Sequence, residues 1–166
     1  IPVGIRQRSD SLTDVDVRQA RGLLGALNYL VTQTRADEAA AVSLACGWLA
    51  ECPEVGTIRD LNMVLKRIQE QDIVLRLKTF PGVSEFELLV YHDASWGTAP
   101  RKSSQGGLCV ALTRAGSVSP ELLNSGELIE SVDAALLFWR SNRIRRVCRS
   151  PSAAETLIGS DGLDQA

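Results

Sequence analysis

FELLVYHDASW, residues 86–96, decides how the rest of the chain is read. Its apolar and aromatic residues predict a central β-strand over Phe86 to Ser95. In a strand, Leu89, Tyr91 and Asp93 share one face, while Val90, His92 and Ala94 share the other. An acid at the end of a buried strand is penalised unless something pairs with it. A divalent metal is one such partner, because hard cations such as magnesium take carboxylate oxygens. The plainer alternative is that Asp93 caps the turn at Ser95–Gly97, as Asp does near strand ends.

A second acid stands in a contrasting setting. Glu155 lies early in SPSAAETLIGSDGLDQA, residues 150–166, which reads as a helix with Ser150 as N-cap and Pro151 at the first helical position. Its plain alternative is a favourable meeting with the helix dipole. Two held carboxylates open a route to phosphodiester chemistry, which needs little from a protein beyond metals and a bound backbone. His92 is the sole histidine, so a histidine-based triad would need another chain, and its place on the face opposite Asp93 suits a structural role. Ser95, Ser103, Ser104 and Ser152 lack a general-base partner.

Upstream, the period is helical. A first helix begins after Thr13 or Asp14 and faces inward with Ala20, Leu23, Leu24, Leu27, Leu30 and Val31. A second starts near Asp37 with Ala41, Leu44, Ala45, Trp48 and Leu49 on its apolar side. A third runs from Thr57 to about Gln71 on Ile58, Leu61, Val64, Leu65 and Ile68. Residues 1–13 read as a tail or linker. Ile73, Leu75 and Leu77 then alternate with Val74, Arg76 and Lys78, which predicts a half-buried strand. Ser104 to Leu112 predicts another strand, with Gly106-Gly107 as a bulge or close backbone approach. Ala134 to Trp139 predicts a third apolar strand, and residues 115–133 a short helix or loop. The fold class is α+β: an N-terminal helical segment, a sheet whose first strands are antiparallel, and a C-terminal helix.

Composition narrows the function classes. The 166 residues are 45% apolar, enough for a core, and the net charge of −2 gives no global pull toward nucleic acid. Local charge does: Arg140, Arg143, Arg145, Arg146 and Arg149 fall in one stretch without an acid, either a solvated face or a phosphate track. Arginine suits the second role through its fork of donors. Cys46, Cys52, Cys109 and Cys148 are scattered, without a CxxC pair, and read as reduced, mostly buried thiols of an intracellular protein. No apolar run is long enough to span a bilayer and no signal peptide is visible. The chain opens on Ile1 rather than Met, and so reads as a piece of something longer.

Taken together, these residues resemble a family. YHDASWGTAPRKSSQGGLCVAL, residues 91–112, resembles the first two strands of the ribonuclease H domain in copia-type retrotransposon Pol polyproteins. There an Asp-Ala-(Asp or Ser)-Trp motif leads into a basic, serine-containing turn, matched here by Asp93, Ala94, Ser95 and Trp96, then Arg101, Lys102, Ser103, Ser104, Gly106 and Gly107. Trp139, Arg140, Ser141, Ala154 and Glu155 match the family's Trp-(Lys/Arg)-Ser and Ser-x-x-Ala-Glu runs. Arg21, Leu23, Leu24, Gly25, Leu27, Tyr29, Leu30, Thr34, Arg35 and Asp37 resemble the segment just after the polymerase palm, with Ala36 where relatives carry proline.

The resemblance implies a reverse transcriptase connection-like helical segment over 14–71 and the N-terminal half of a ribonuclease H-like domain, with an incomplete mixed sheet, over 72–166. Asp93 and Glu155 would be catalytic carboxylates holding Mg2+, or Mn2+, for cleavage of the RNA strand of an RNA–DNA hybrid. Arg140, Arg143, Arg145, Arg146 and Arg149, with Lys102, would hold phosphates, and recognition would rest on groove shape and 2′-hydroxyls. Partners would be the hybrid or another nucleic acid and the remainder of the Pol polyprotein, in a cytoplasmic particle or the nucleus, with no membrane. The family's third catalytic Asp lies beyond the first helix, and this chain closes at Ala166, inside or just after it. Asp161 is six residues past Glu155, roughly 120° around the helix, so it faces elsewhere, and Asp164 is a candidate only in name. The expectation is an endonuclease by ancestry with little activity as an isolated chain. The alternatives are a non-catalytic nucleic-acid-binding remnant and a decayed relic.

Overall fold

In the computed structural model, residues 1–119 and 132–165 are described. Most of the 115–133 segment, expected to hold a short helix or loop, lies outside them. Helix α1 spans Asp14–Gln33 and starts at a capping box. The Thr13 hydroxyl accepts from the Asp16 N–H at 3.2 Å, and the Asp16 carboxylate accepts from the Thr13 N–H at 2.9 Å. Arg6 donates to the same carboxylate at 2.7 Å. Its hydrogen bond, followed by those from Thr13, holds the Asp16 carboxyl down at about 2. A 3-10 turn at Ala36–Glu38 leads into α2, Ala39–Glu51, and α3 covers Val55–Glu70. Leu24, Leu27 and Val31 of α1 bury against Val42, Ala45 and Leu49 of α2 and Ile58, Leu61 and Val64 of α3. Most of the expected helical stripes thus form one core, but Leu30 and Trp48, expected to face inward, are exposed.

A charged clasp closes this layer. Arg35, itself buried, grips Asp37 through two bonds of 2.9 and 2.8 Å and donates to the Ile68 carbonyl at 3.1 Å, near the end of α3. Beside it Arg67 holds the buried Glu38 through bonds of 2.5 and 2.7 Å. The Arg35 hydrogen bond lowers the Asp37 pKa, and the bonds to Asp37 and Glu38 raise those of Arg35 and Arg67. Residues 1–13, expected as a tail or linker, run along α1 and α3: the Leu12 N–H donates to the Pro53 carbonyl at 2.9 Å, and Arg8 meets Asp60 at 2.7 Å.

The strand expected from Ile73 to Lys78 does not form, and Ile73, Val74 and Leu77 are exposed. Alternation makes a strand only where a neighbour offers its backbone, and none of the described residues does so here. The sheet begins with β1, Phe86–Ala99, followed by β2, Ser103–Arg114, and β3, Ala134–Arg143. All pairings are antiparallel in the order β1-β2-β3. Phe86–Ser95, expected as a central strand, therefore lies at an edge, and β2 is central. A register shift between Val110 and Ala111 leaves Leu137 as the extra residue on β3.

Helix α4, Pro151–Leu163, starts with the Ser150 hydroxyl accepting from the Ala153 N–H at 3.2 Å. It lies against the face that carries Val90, His92 and Leu108. Glycine permits the approach: a Cβ on Gly106 would sit 2.2 Å from Ile158 Cδ1. The other face meets the helical layer. Gln105 donates to the hydroxyls of Ser43 and Ser141 at 2.9 Å each, and the Trp139 indole donates to the Val31 carbonyl at 2.6 Å. The architecture is α+β in three layers: α1–α3, the sheet, and α4.

Candidate functional site

β1 carries Asp93 opposite Gly107 of β2. Alternation sends its side chain to the face turned toward α2, where it borders a groove of about 340 Å³ with Ala36, Ala40, Tyr91, Cys109 and Trp139. Asp93 is exposed rather than at the end of a buried strand, because β1 is an edge. It forms no hydrogen bond or ion pair with the described residues. Nor does it cap the next turn, which is closed by a 2.7 Å bond between the hydroxyls of Ser95 and Thr98.

Glu155 approaches from the other side. One oxygen accepts from the Ala94 N–H at 3.0 Å, across 61 positions of sequence, and the other lies 3.6 Å from His92 Nδ1. The His92 ring packs over Gly159, so the structural reading of this histidine fits its surroundings. Glu155 thereby covers an outward-pointing amide of the edge strand. The two acids reach neighbouring positions of one strand end, but their side chains lie on different sides of it. Among the described residues, no group of three or more His, Cys, Asp or Glu side chains could hold a metal ion. With Glu155 engaged by a backbone amide and Asp93 on the far face, these two carboxylates do not form a complete donor set for magnesium or manganese. Asp161 is bound by Arg140 at 2.5 Å, and Asp164 lines the cleft beyond, so neither joins Asp93.

The basic residues divide into two groups. Arg140 is held by Asp161, and Arg143 by Glu51 at the end of α2. Arg145, Arg146, Arg149 and Lys102 are exposed and make no ion pair with the described residues. The loop after β3 and the turn between β1 and β2 are fastened together. The Ile144 N–H donates to the Ser104 carbonyl at 2.8 Å, and the Trp96 indole N–H to the Cys148 carbonyl at 3.0 Å. The two segments line a cleft of about 140 Å³ with Arg101, Lys102, Arg143, Arg145 and Arg146.

Two contributors escaped the sequence reading. Arg101 stands in the 91–112 run with no signal that sets it apart from its neighbours. Glu51 carries no local signal, since only the fold brings the end of α2 beneath the cleft. Its Oε2 lies 3.1 Å from Arg101 Nε. The four cysteines are free thiols, and Cys46 and Cys52 are exposed, contrary to the expectation of mostly buried thiols. Cys46 lies on the side of α2 away from the three-helix core, and Cys52 caps the end of that helix. Partial burial raises the Cys109 thiol pKa. No described helix is long and apolar enough to cross a membrane. The fold and site define an α+β protein with a bipartite basic surface. Compared with protein-family models, curated proteins and solved structures, the chain matches none.

Proposed function

We propose that this chain is a ribonuclease H-type segment of a copia-type Pol polyprotein that binds RNA–DNA hybrids beside the remainder of that polyprotein. One observation carries the reading: the bond from Ala94 N–H to Glu155 brings the early part of α4 to the strand position next to Asp93. The resemblance implies an acid on this strand and another on this helix, and the bond supports that reading by bringing the two segments together. Magnesium- or manganese-dependent hydrolysis of the RNA strand belongs, in this proposal, to a unit completed by a third acid from outside the described residues. The setting is intracellular, in a cytoplasmic particle or the nucleus.

The test is a labelled RNA–DNA hybrid, titrated with the chain in magnesium and followed for both binding and cleavage. We expect binding several-fold tighter than to a DNA duplex of the same sequence, without turnover. Equal affinity for the two duplexes would sink the hybrid reading. Cleavage at the rate of a complete ribonuclease H would sink the claim that a ligand is missing. The placement of the acids on different sides of β1 favours a second reading, a non-catalytic nucleic-acid-binding remnant. In that case Asp93→Asn leaves hybrid preference unchanged.

A further inference from the structure

We infer that the cleft between the Pro100–Ser103 turn and the 144–148 loop is a phosphodiester-backbone site, and that Glu51 is its internal counter-ion, occupying two of its arginines until nucleic acid displaces it. The inference deepens the proposed function and rests on its claim that the chain binds nucleic acid.

Charge is the first ground. Five cationic side chains line the cleft, and no acid does. The larger neighbouring cleft of about 450 Å³ shares Arg143, Arg145 and Arg146 but is walled on α4 by Asp161 and Asp164, so an anion is directed to the smaller one. Lys102, Arg145 and Arg146 carry no ion pair among the described residues, which leaves three cations uncompensated.

Geometry is the second ground. Glu51, whose side chain is only 11% exposed, reaches up from α2 and meets both Arg101 and Arg143. The Arg101 side chain is 76% exposed, and Glu51 Oε2 has no hydrogen-bond partner despite being buried. On its Arg101 side the ion pair is open to solvent and so weakly held. A phosphate, with its fork-compatible oxygens, competes well for the same guanidinium.

The neighbouring aromatic decides the class of partner. Trp96 is 49% exposed, and its indole N–H is tied to the carbonyl of Cys148, a residue of the cleft wall. A half-exposed ring tied to the loop that carries the cations is a pattern by which nucleic-acid backbones are held while a base stacks. A bilayer would ask for a broader apolar face than Trp96 and Val147 provide.

The experiment is fluorescence anisotropy of the full chain with a labelled RNA–DNA hybrid and a labelled DNA duplex over a salt series, beside anionic phospholipid vesicles. Arg145→Gln with Arg146→Gln should weaken both duplexes roughly tenfold or more and flatten the log–log salt slope by about two. Glu51→Gln should tighten binding roughly threefold and steepen the slope. Because Glu51→Gln also touches packing, Glu51→Asp provides a second variant that keeps the charge but shortens its reach, and it too should tighten binding. Unchanged affinity and slope in the double arginine variant would overturn the site, and unchanged affinity in both Glu51 variants would overturn the counter-ion. Vesicle binding as strong as duplex binding, lost in the same variants, would overturn the choice of nucleic acid. If both duplexes bind equally and the cleft variants lose both, the site stands and the hybrid reading falls. If hybrid preference persists and the variants are silent, the reverse holds.

Discussion

At the scale of single residues, the turn between β1 and β2 is the least expected feature. Arg101 and Lys102 have φ of 55° and 54°, two consecutive side-chain-bearing residues in the left-handed region. Hairpins of this mirror-image type ordinarily place Asn-Gly there, because each left-handed L-residue costs roughly 1–2 kcal/mol. Keeping two cations in that conformation sets charge against local stability, a balance found at functional surfaces. Lys102→Gly should therefore stabilise the fold by about 1 kcal/mol, raising the melting temperature by about 2–4 °C, while weakening duplex binding. A melting temperature that falls instead would show the turn to be unstrained. Residue identities were legible in the sequence where chemistry is local: Thr13, Ser150 and Pro151 take the capping places their types predict. Asp93 was legible as an acid on a strand, but not as an exposed one, because burial depends on how many strands flank it.

Among the elements, α4 shows what a strand face must give up to receive a helix. Gly106, Gly159 and Gly162 stand where side chains would strike Ile158, His92 and Val90. Of the bulge or close approach that Gly106-Gly107 predicts, Gly106 makes the close approach, to Ile158. The Ile73–Lys78 alternation yields no strand for a related reason. The pattern is real, but pairing is supplied by a neighbour that periodicity does not report. Gly106→Ala should destabilise the chain by about 2–3 kcal/mol through overpacking. Adding Ile158→Ala should recover part of that loss in a urea-unfolding double-mutant cycle. An unchanged midpoint for Gly106→Ala alone would mean that α4 does not sit on β2 as described.

For the molecule as a whole, the sheet joins two segments that the resemblance assigns to different parts of a polyprotein. Trp139 to Val31, Gln105 to Ser43 and Arg143 to Glu51 all cross that boundary. Such contacts are illegible in a single sequence, since each partner looks like an ordinary polar or aromatic residue. The same long-range placement turns a plain helix-end acid, Glu51, into part of the basic surface. Glu155 likewise does more than meet a helix dipole, because its carboxylate reaches the rim of another element. It covers the amide of Ala94 and stops there. Leu88, Val90 and His92, which share that outward direction by alternation, are left along an edge without a neighbouring strand among the described residues. FELLVYH has no proline or lysine to discourage stacking. Concentrated solutions of the chain should therefore seed fibrillar assemblies from this rail, visible as a rise in thioflavin fluorescence. Leu88→Lys should lengthen the lag before that growth, and an unaltered lag would place the nucleus elsewhere.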